Sequence, residues 1–427
     1  MNAKLLAVLL GLAAVAPVAS TVPQFHYVFT DVTRWAFLFV LLIPVFLSGH
    51  MFSCLATPFG ILTAALAVWC LLTAFWSDEP SLTISKSLAM GLTALTLASA
   101  GMAWARMSGP RHLFSPLIGH ALVALAVVVL GLPSDKAFDI PTEGMALYQG
   151  AVTGSNLLGI IQAMAIPFLA WRLYVDRRNW PLACLIALLL ALTTILCVLS
   201  GSRGAMIALL LSLLGFTLAF GVFRFVLILA VGATVSLAVL VASPSVNDAV
   251  RRIIYKARET DQSLFYTRES TWEESWTMAK RGGAVGAGFG VSIGSETVDV
   301  GLTAVGYGRE KGNSQLAVLE EIGIVGLIIY GAMLLALFIP LVRTMARTWD
   351  GGRRIACGLA LGALLGILSQ SVFEAWFVAP GAPESSFFWT LSGLALGLVE
   401  GSRQRTAAAP RRPLTASAIG QPSRSSV

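Results

Sequence analysis

The sequence has little charge. Only 12% of its 427 residues are Asp, Glu, Lys or Arg, about half the share of a typical soluble domain. A soluble protein of this length could not cover its surface with so few charged groups. Hydrophobic residues make up 56% of the chain and form long uncharged runs. Such runs predict membrane-spanning helices, because the strands of a barrel would be shorter and alternating. The predicted fold is an all-α polytopic membrane protein.

Cysteine and histidine are also scarce. The five cysteines include no Cys-x-x-Cys pair, and the four histidines are scattered. The sequence therefore predicts no metal site and no cofactor. The net charge of +7 is concentrated in short turns and in the C-terminal tail, where Lys and Arg set membrane orientation. It does not predict a nucleic-acid partner.

Hydropathy predicts about twelve spans. The first follows a single Lys4 and resembles a signal peptide, but the rest of the chain is equally apolar, so we expect a first transmembrane helix. The predicted spans are 4–20, 34–49, 54–76, 84–105, 112–132, 154–174, 180–199, 203–221, 224–243, 316–342, 355–373 and 386–401.

Arginine placement predicts the orientation. More than half of the Lys and Arg residues fall in alternate loops and the tail, with clusters at 172–178, 343–354 and 403–412. The positive-inside rule then places both termini in the cytoplasm. We expect transmembrane helices over 1–243 and 316–402, a large, partly helical loop on the outer side over 244–315, and a disordered cytoplasmic tail over 403–427.

The segment 244–315 is the only long polar stretch between the spans. It holds equal numbers of basic and acidic residues. From Arg268 the spacing of Arg268, Trp272, Trp276 and Ala279 predicts a helix with these residues on one face. That helix could lie on the membrane surface, or it could direct Arg268 into a cavity.

A glycine-rich run follows this helix, from Gly282 to Gly290. No strand–helix unit surrounds it, so it does not predict dinucleotide binding. Its backbone amides could approach an anion closely, or the run could form a re-entrant turn.

Arg203 is the strongest single candidate for a ligand-binding residue. It lies in Ser200-Gly-Ser202-Arg203-Gly-Ala, where one apolar run ends and the next begins. An arginine at a membrane boundary is often only an anchor. A helix N-terminus, its free amides and a guanidinium together also suit a phosphate oxyanion. We expect Ser202 to belong to the same site.

Five segments, in this order, resemble the O-antigen ligase/Wzy polymerase superfamily of bacterial membrane glycosyltransferases. They are Trp76-Ser-Asp-Glu-Pro80, Gly154-Ser-Asn156-Leu-Leu-Gly159, Ser200-Gly-Ser-Arg203-Gly-Ala, Arg268-x3-Trp272 with the later glycine run, and Gly312-Asn313-Ser-Gln-Leu316 with Glu321-Ile-Gly323. The segments cover about residues 70–330, and the layout of spans around one large outer loop matches the family as well.

The resemblance implies a glycosyltransferase that works without a metal. Its donor would be a glycan linked to undecaprenyl pyrophosphate, and its acceptor a sugar hydroxyl on the periplasmic face. The implied location is a bacterial inner membrane, with the loop 244–315 in the periplasm. Fixed arginines can stabilise the leaving pyrophosphate. We expect Arg203, Arg268 and Ser202 to bind it, with Arg251 and Arg309 as further candidates. The expected partners are this donor, a glycan acceptor, the lipid bilayer and other glycan-assembly proteins such as a flippase or a chain-length regulator.

One position departs from the family pattern. Gly312 stands where the ligases carry His in His-Asn/Ser/Gln-x-x-Leu. The candidates for the acid/base and orienting roles are therefore Glu310, Asn313 and Glu321, of which Asn313 and Glu321 match the motif. The missing His favours a polymerase, which joins repeat units of an exopolysaccharide or O-antigen.

Three other functions stay open. An O-antigen ligase would transfer the glycan to the lipid A core of lipopolysaccharide. A transporter of lipid-linked glycan is less favoured, because the spans show no inverted repeat and no cluster of ionisable residues. A non-catalytic scaffold remains because of the missing His.

Overall fold

The computed structural model of the chain describes residues 2–133, 138–139, 147–221, 266–292 and 311–408. This part is about 80% helical, with one short antiparallel pair of strands, β1 (Phe138–Asp139) and β2 (Leu147–Tyr148). The α-helices within it are α1 (Ala3–Ala19), α2 (Asp31–Leu47), α3 (His50–Leu55), α4 (Pro58–Leu72), α5 (Pro80–Met107), α6 (Ile118–Gly131), α7 (Ser155–Asp176), α8 (Trp180–Leu199), α9 (Arg203–Leu218), α10 (Tyr266–Gly282), α11 (Ser314–Arg347), α12 (Gly351–Gln370) and α13 (Pro383–Ala408).

Six helical segments within the described ranges are long and apolar enough to cross a membrane. They are Pro58–Phe75, Pro80–Met107, Ser155–Asp176, Trp180–Leu199, Ser314–Arg347 and Gly351–Gln370. Three shorter apolar helices accompany them: Ala3–Ala19, Ser115–Gly131 and Arg203–Leu218. The prediction of a multi-pass helical membrane protein is confirmed, while the count of twelve spans and the periplasmic loop stay predictions.

Most predicted spans overlap a helix. The span 224–243 lies outside the described residues, as do most of the 244–315 segment and the tail from residue 409. Two boundaries differ from expectation. Helix α11 contains a break at Gly323, where φ is 69° and ψ is −170°. Helix α13 continues to Ala408, into the segment predicted to be a disordered tail.

Small residues bring the helices together. A Cβ atom on Gly366 of α12 would lie 2.6 Å from the Ala208 carbonyl oxygen of α9, and one on Gly101 of α5 would lie 2.6 Å from the Thr390 carbonyl oxygen of α13. Close backbone approach of this kind is how helices associate where lipid supplies no hydrophobic drive. It fixes the relative positions of the helix ends.

The bundle has two ends of different character. At the end called here the Arg106 end, Arg106 pairs with Glu400 at 3.1 Å, and the Trp104 indole donates to the Leu113 carbonyl at 2.9 Å. Helices α7, α9, α11 and α13 all begin at the opposite end, called here the loop end. The sequence candidates that the structure describes lie towards the loop end.

Candidate functional site

The turn from α8 to α9 carries the Ser-Arg motif. Gly201 has a positive φ of 63°, which lets the chain reverse in so short a connection. The Ser202 hydroxyl caps α9 by accepting from the Ala205 amide at 3.4 Å. Arg203 is the first residue of α9. The predicted helix N-terminus is therefore present, with Arg203 at its start and the Ser202 hydroxyl used as its cap.

Two of the motifs, separated in sequence, meet at this turn. A Cβ atom on Gly159 of α7 would lie 2.5 Å from the Ser200 hydroxyl and 2.8 Å from Ser202 Cβ. Only a glycine allows α7 to approach the turn so closely. Asn156, in the first turn of α7, is thereby brought beside the Ser-Arg turn. On its other side, a Cβ on Gly204 would lie 3.3 Å from the Gln370 side chain.

The glycine-rich run packs against the break in α11. The amides of Ala287 and Gly288 donate to the carbonyls of Glu320 and Glu321, both at 3.0 Å, and the Ile324 amide donates to the Gly283 carbonyl at 3.2 Å. Every amide from Gly286 to Val291 has an acceptor within the protein. These amides therefore do not form an anion site, and the run is a packed re-entrant turn.

Glu321 lies beneath this turn and is fully buried. One carboxylate oxygen accepts from Lys311 Nζ at 2.6 Å, and the other accepts from the Gly290 amide at 2.6 Å. Lys311 Nζ also donates to the Val291 carbonyl at 3.0 Å, and Lys86 Nζ donates to the Gly290 carbonyl at 3.3 Å. Because both oxygens of Glu321 have partners, the carboxylate holds Lys311 and the glycine turn in place.

The position of the missing histidine is closely covered. The Gly312 carbonyl accepts from the Trp272 indole at 3.1 Å. A Cβ atom on Gly312 would lie 2.7 Å from Thr271 Cγ2, so any side chain there requires the Thr271 methyl group to shift. The α10 residues Thr271 and Trp272 therefore pack closely against position 312.

Asn313 begins α11. Its side-chain oxygen accepts from the Leu316 amide at 2.9 Å, and its amide nitrogen donates to the Val372 carbonyl at 3.2 Å. The next residue, Ser314, donates from its hydroxyl to the Glu374 carbonyl at 2.8 Å. These bonds tie the start of α11 to the chain between α12 and α13.

Burial on α10 matches the predicted face only in part. Ala279 of that face is buried, together with Ser275, whereas Trp276 of that face is 49% exposed. The helix packs against α11, and the buried residues lie on the side that faces α11. Trp276 faces outwards, with Lys280 Nζ 4.9 Å from its ring centroid. Arg268 is in the first turn of α10, and its side chain lies outside the described part of the structure, as do Arg251, Arg309 and Glu310.

A cavity of about 580 Å³ opens at the loop end. This volume is within the range of small-molecule sites. Its polar lining comes from α7, from the residue Lys311 before α11, from the end of α12, from the connection between α12 and α13, and from the start of α13: Asn156, Lys311, Gln370, Glu374, Trp376 and Glu384. The Ser-Arg turn adjoins this lining through Asn156 and Gln370, so Arg203 begins its helix beside the cavity. Glu321 lies in the interior and does not line it.

Two carboxylates of this lining were missed by the sequence analysis. Glu374 and Glu384 lie in the connection between α12 and α13 and in the first turn of α13. Glu384 is 9% exposed and lies just before the predicted span 386–401. Burial, together with the charge of Glu374, raises the pKa of Glu384 to about 7. A glutamate at the start of an apolar run was the available signal.

Fold and site together define a multi-pass helical membrane protein with a polar cavity where its helices begin. Residues 186–331 match the family model described as O-antigen ligase. This segment contains the Ser-Arg turn, α10, the glycine turn and Glu321. The match supports membership of the O-antigen ligase/Wzy family and confirms the resemblance found in the sequence. No curated protein matches the chain.

Proposed function

We propose that this protein is a Wzy-type polysaccharide polymerase of a bacterial inner membrane. It joins repeat units linked to undecaprenyl pyrophosphate, on the periplasmic face, into an exopolysaccharide or O-antigen. A sugar hydroxyl of one unit attacks the anomeric carbon of the other glycan, and undecaprenyl pyrophosphate leaves. Both termini are in the cytoplasm, and a flippase and a chain-length regulator are its proposed partners.

One observation carries this proposal: Arg203 begins α9 beside the polar cavity, within the segment that matches the family model. A guanidinium at a helix N-terminus suits an anionic leaving group, because the guanidinium and the positive end of the helix dipole both attract the anion. Arg268 and Ser202 complete the proposed pyrophosphate site, and Arg251 and Arg309 extend it. This arrangement supplies the leaving-group stabilisation without requiring a metal.

The acceptor side of the proposal involves Asn313, Glu310 and Glu321. Asn313 orients the start of α11 beside the cavity lining. Glu310, the residue before Lys311, is proposed to orient the acceptor hydroxyl. Glu321 contributes by holding Lys311 and the glycine turn, since it is buried away from the cavity.

The glycine at position 312 favours polymerase over ligase. Thr271 and Trp272 of α10 pack against this position, where the ligases carry a histidine. A ligase that transfers glycan to the lipid A core is the alternative. A transporter is less favoured, because the sequence shows no inverted repeat and no cluster of ionisable residues within the predicted spans.

Deletion of the gene followed by surface-glycan analysis tests the proposal. A polymerase mutant keeps single repeat units and loses long chains. A ligase mutant accumulates lipid-linked polymer that never reaches lipid A, and that result would overturn the polymerase assignment. Purified protein should remain active in the presence of a chelator, and loss of activity that added metal restores would contradict the metal-independent mechanism.

A further inference from the structure

Glu384 is a buried carboxyl group that faces the loop-end cavity. It is 9% exposed, and among the described residues no basic side chain forms an ion pair with it. The charged groups around it come from three other elements. Glu374 lies across the cavity lining, Lys311 is committed to Glu321 and Val291, and Arg34 of α2 donates to the Gly381 carbonyl at 3.4 Å.

Two further polar atoms of the same lining have no hydrogen-bond partner among the described residues. They are the Gln370 side-chain oxygen and the Trp376 indole nitrogen. Gln370 is 6% exposed and Trp376 is 3% exposed. A buried polar group without a partner is energetically costly, so such groups commonly mark the place of a ligand or an ordered water. Here one acceptor and one donor accompany a carboxyl group.

We propose that this cavity binds the acceptor sugar and that Glu384 is the base that takes the proton from its attacking hydroxyl. Gln370 accepts from, and Trp376 donates to, other hydroxyls of that sugar. This inference rests on the proposed glycosyl transfer and names the residues that serve its acceptor side. Glu384 on α13 would thus act on the acceptor hydroxyl, a role that the family motif assigns to the histidine at the position of Gly312.

The transfer forms one bond and breaks one bond. The acceptor oxygen forms a bond to the anomeric carbon of the donor glycan, and the bond from that carbon to the pyrophosphate oxygen breaks. The electron pair of the broken bond leaves with undecaprenyl pyrophosphate. The hydroxyl proton passes to the Glu384 carboxylate and then to water, which regenerates the carboxylate.

The pKa of the carboxyl group suits this work. A general base is most effective when its pKa is near the working pH, and burial with the neighbouring Glu374 raises the pKa of Glu384 to about 7. The backbone amide of Glu384 itself donates to the carboxylate, which lowers the pKa, but burial outweighs this effect.

The test uses the full-length protein in lipid nanodiscs. Its substrate is undecaprenyl-pyrophosphate-linked repeat units extracted from a strain that lacks the protein. We compare the wild type with Glu384→Gln, Glu384→Asp and, as the control, Glu273→Gln, an exposed carboxylate on the outer face of α10. Polymer formation is measured between pH 5 and pH 9, with kcat and KM determined separately.

We expect the wild-type rate to fall on the acidic side with an apparent pKa near 7, and Glu273→Gln to behave like the wild type. Glu384→Gln should lower kcat by roughly 10²–10⁴-fold with little change in KM and no acidic limb, and Glu384→Asp should restore part of the rate. Trp376→Phe, which removes only the indole N–H, should raise KM.

Two failures are distinguishable. If the wild type makes polymer and Glu384→Gln does so at the same rate with the same acidic limb, Glu384 is not the base, and the polymerase assignment stands. If the wild type transfers no glycan at all, the proposed function fails and the base assignment fails with it. A thermal melt of each variant shows whether a lower rate results from loss of folded protein. If Glu384→Gln does not fold, the pH profile of Glu384→Asp is the test. An acidic limb of Glu384→Asp that is unshifted from that of the wild type would overturn the proposal.

Discussion

Lys311 and Glu321 form an ion pair of 2.6 Å in which both side chains are at most 1% exposed. Removing one partner of a buried pair costs about 3–5 kcal/mol, and Glu320, 3.8 Å from Lys311 Nζ, offsets part of that cost when Glu321 is removed. We therefore expect Glu321→Met to lower the melting temperature and to reduce the amount of folded protein. The double variant Lys311→Met, Glu321→Met should recover part of that loss in a double-mutant cycle with the two single variants. An unchanged melt with abolished activity would instead make Glu321 a directly catalytic group.

Gly312 packs against the methyl group of Thr271 on α10. Gly312→Ala places a methyl group 2.7 Å from Thr271 Cγ2, and overpacking of this kind costs about 1–3 kcal/mol. Thr271→Ser removes Cγ2, so the double variant should recover the wild-type melting temperature. Gly312→His should lose polymer formation without gaining transfer to lipid A. Ligase activity in that variant would show that α10 moves aside freely.

Arg203 should be irreplaceable by lysine, because lysine cannot form the planar fork of a guanidinium. Arg203→Lys and Arg203→Ala should each lose roughly 2–4 kcal/mol of transition-state stabilisation, measured as kcat/KM for the lipid-linked repeat unit. Arg178→Ala, an exposed arginine at the Arg106 end, is the matched control. Full glycan assembly by Arg203→Ala would reduce this residue to a boundary anchor.

The raised pKa of Glu384 has a consequence for stability. A carboxyl group whose pKa is about 7 in the folded state, against an ordinary value of 4.5, binds its proton more tightly in the folded state. Its stabilising contribution is present at low pH and is lost as the pH rises from 4.5 through 7. Glu384→Gln should therefore be more stable than the wild type above pH 7, by on the order of 3 kcal/mol, and the difference should vanish below pH 4.5. Melts recorded across this range check it, and a variant less stable than the wild type at pH 8 would contradict it.

The orientation is tested by reporter fusions. A reporter at Asp261, in the predicted periplasmic loop, and one at Ala407, at the end of α13, should report opposite compartments. The arginine distribution underlies this expectation. Finding both reporters on one side would overturn the span count or the orientation.

The sequence predicted the helices well because a bilayer obliges each span to satisfy its backbone hydrogen bonds internally. Arg203 was placed correctly at a helix start, since Ser202 is a strong capping residue. The burial of Glu321 could not be read from the sequence, because it depends on the glycine turn folding back over α11. Glu374 and Glu384 were missed for a similar reason. Their cavity is formed by segments near residues 156, 311, 370 and 384, and no local pattern indicates that these meet.

Helix α11 has 34 residues and is roughly 50 Å long at 1.5 Å per residue, well beyond the hydrocarbon thickness of about 30 Å. Its break at Gly323 leaves a first part that carries Glu320 and Glu321 under the glycine turn, and an apolar second part that suffices to span. A bilayer with longer acyl chains would draw the first part towards lipid, at a cost of fractions of a kcal/mol per ångström of mismatch. The thickness of the host membrane therefore affects the distance between the polar cavity and the lipid surface.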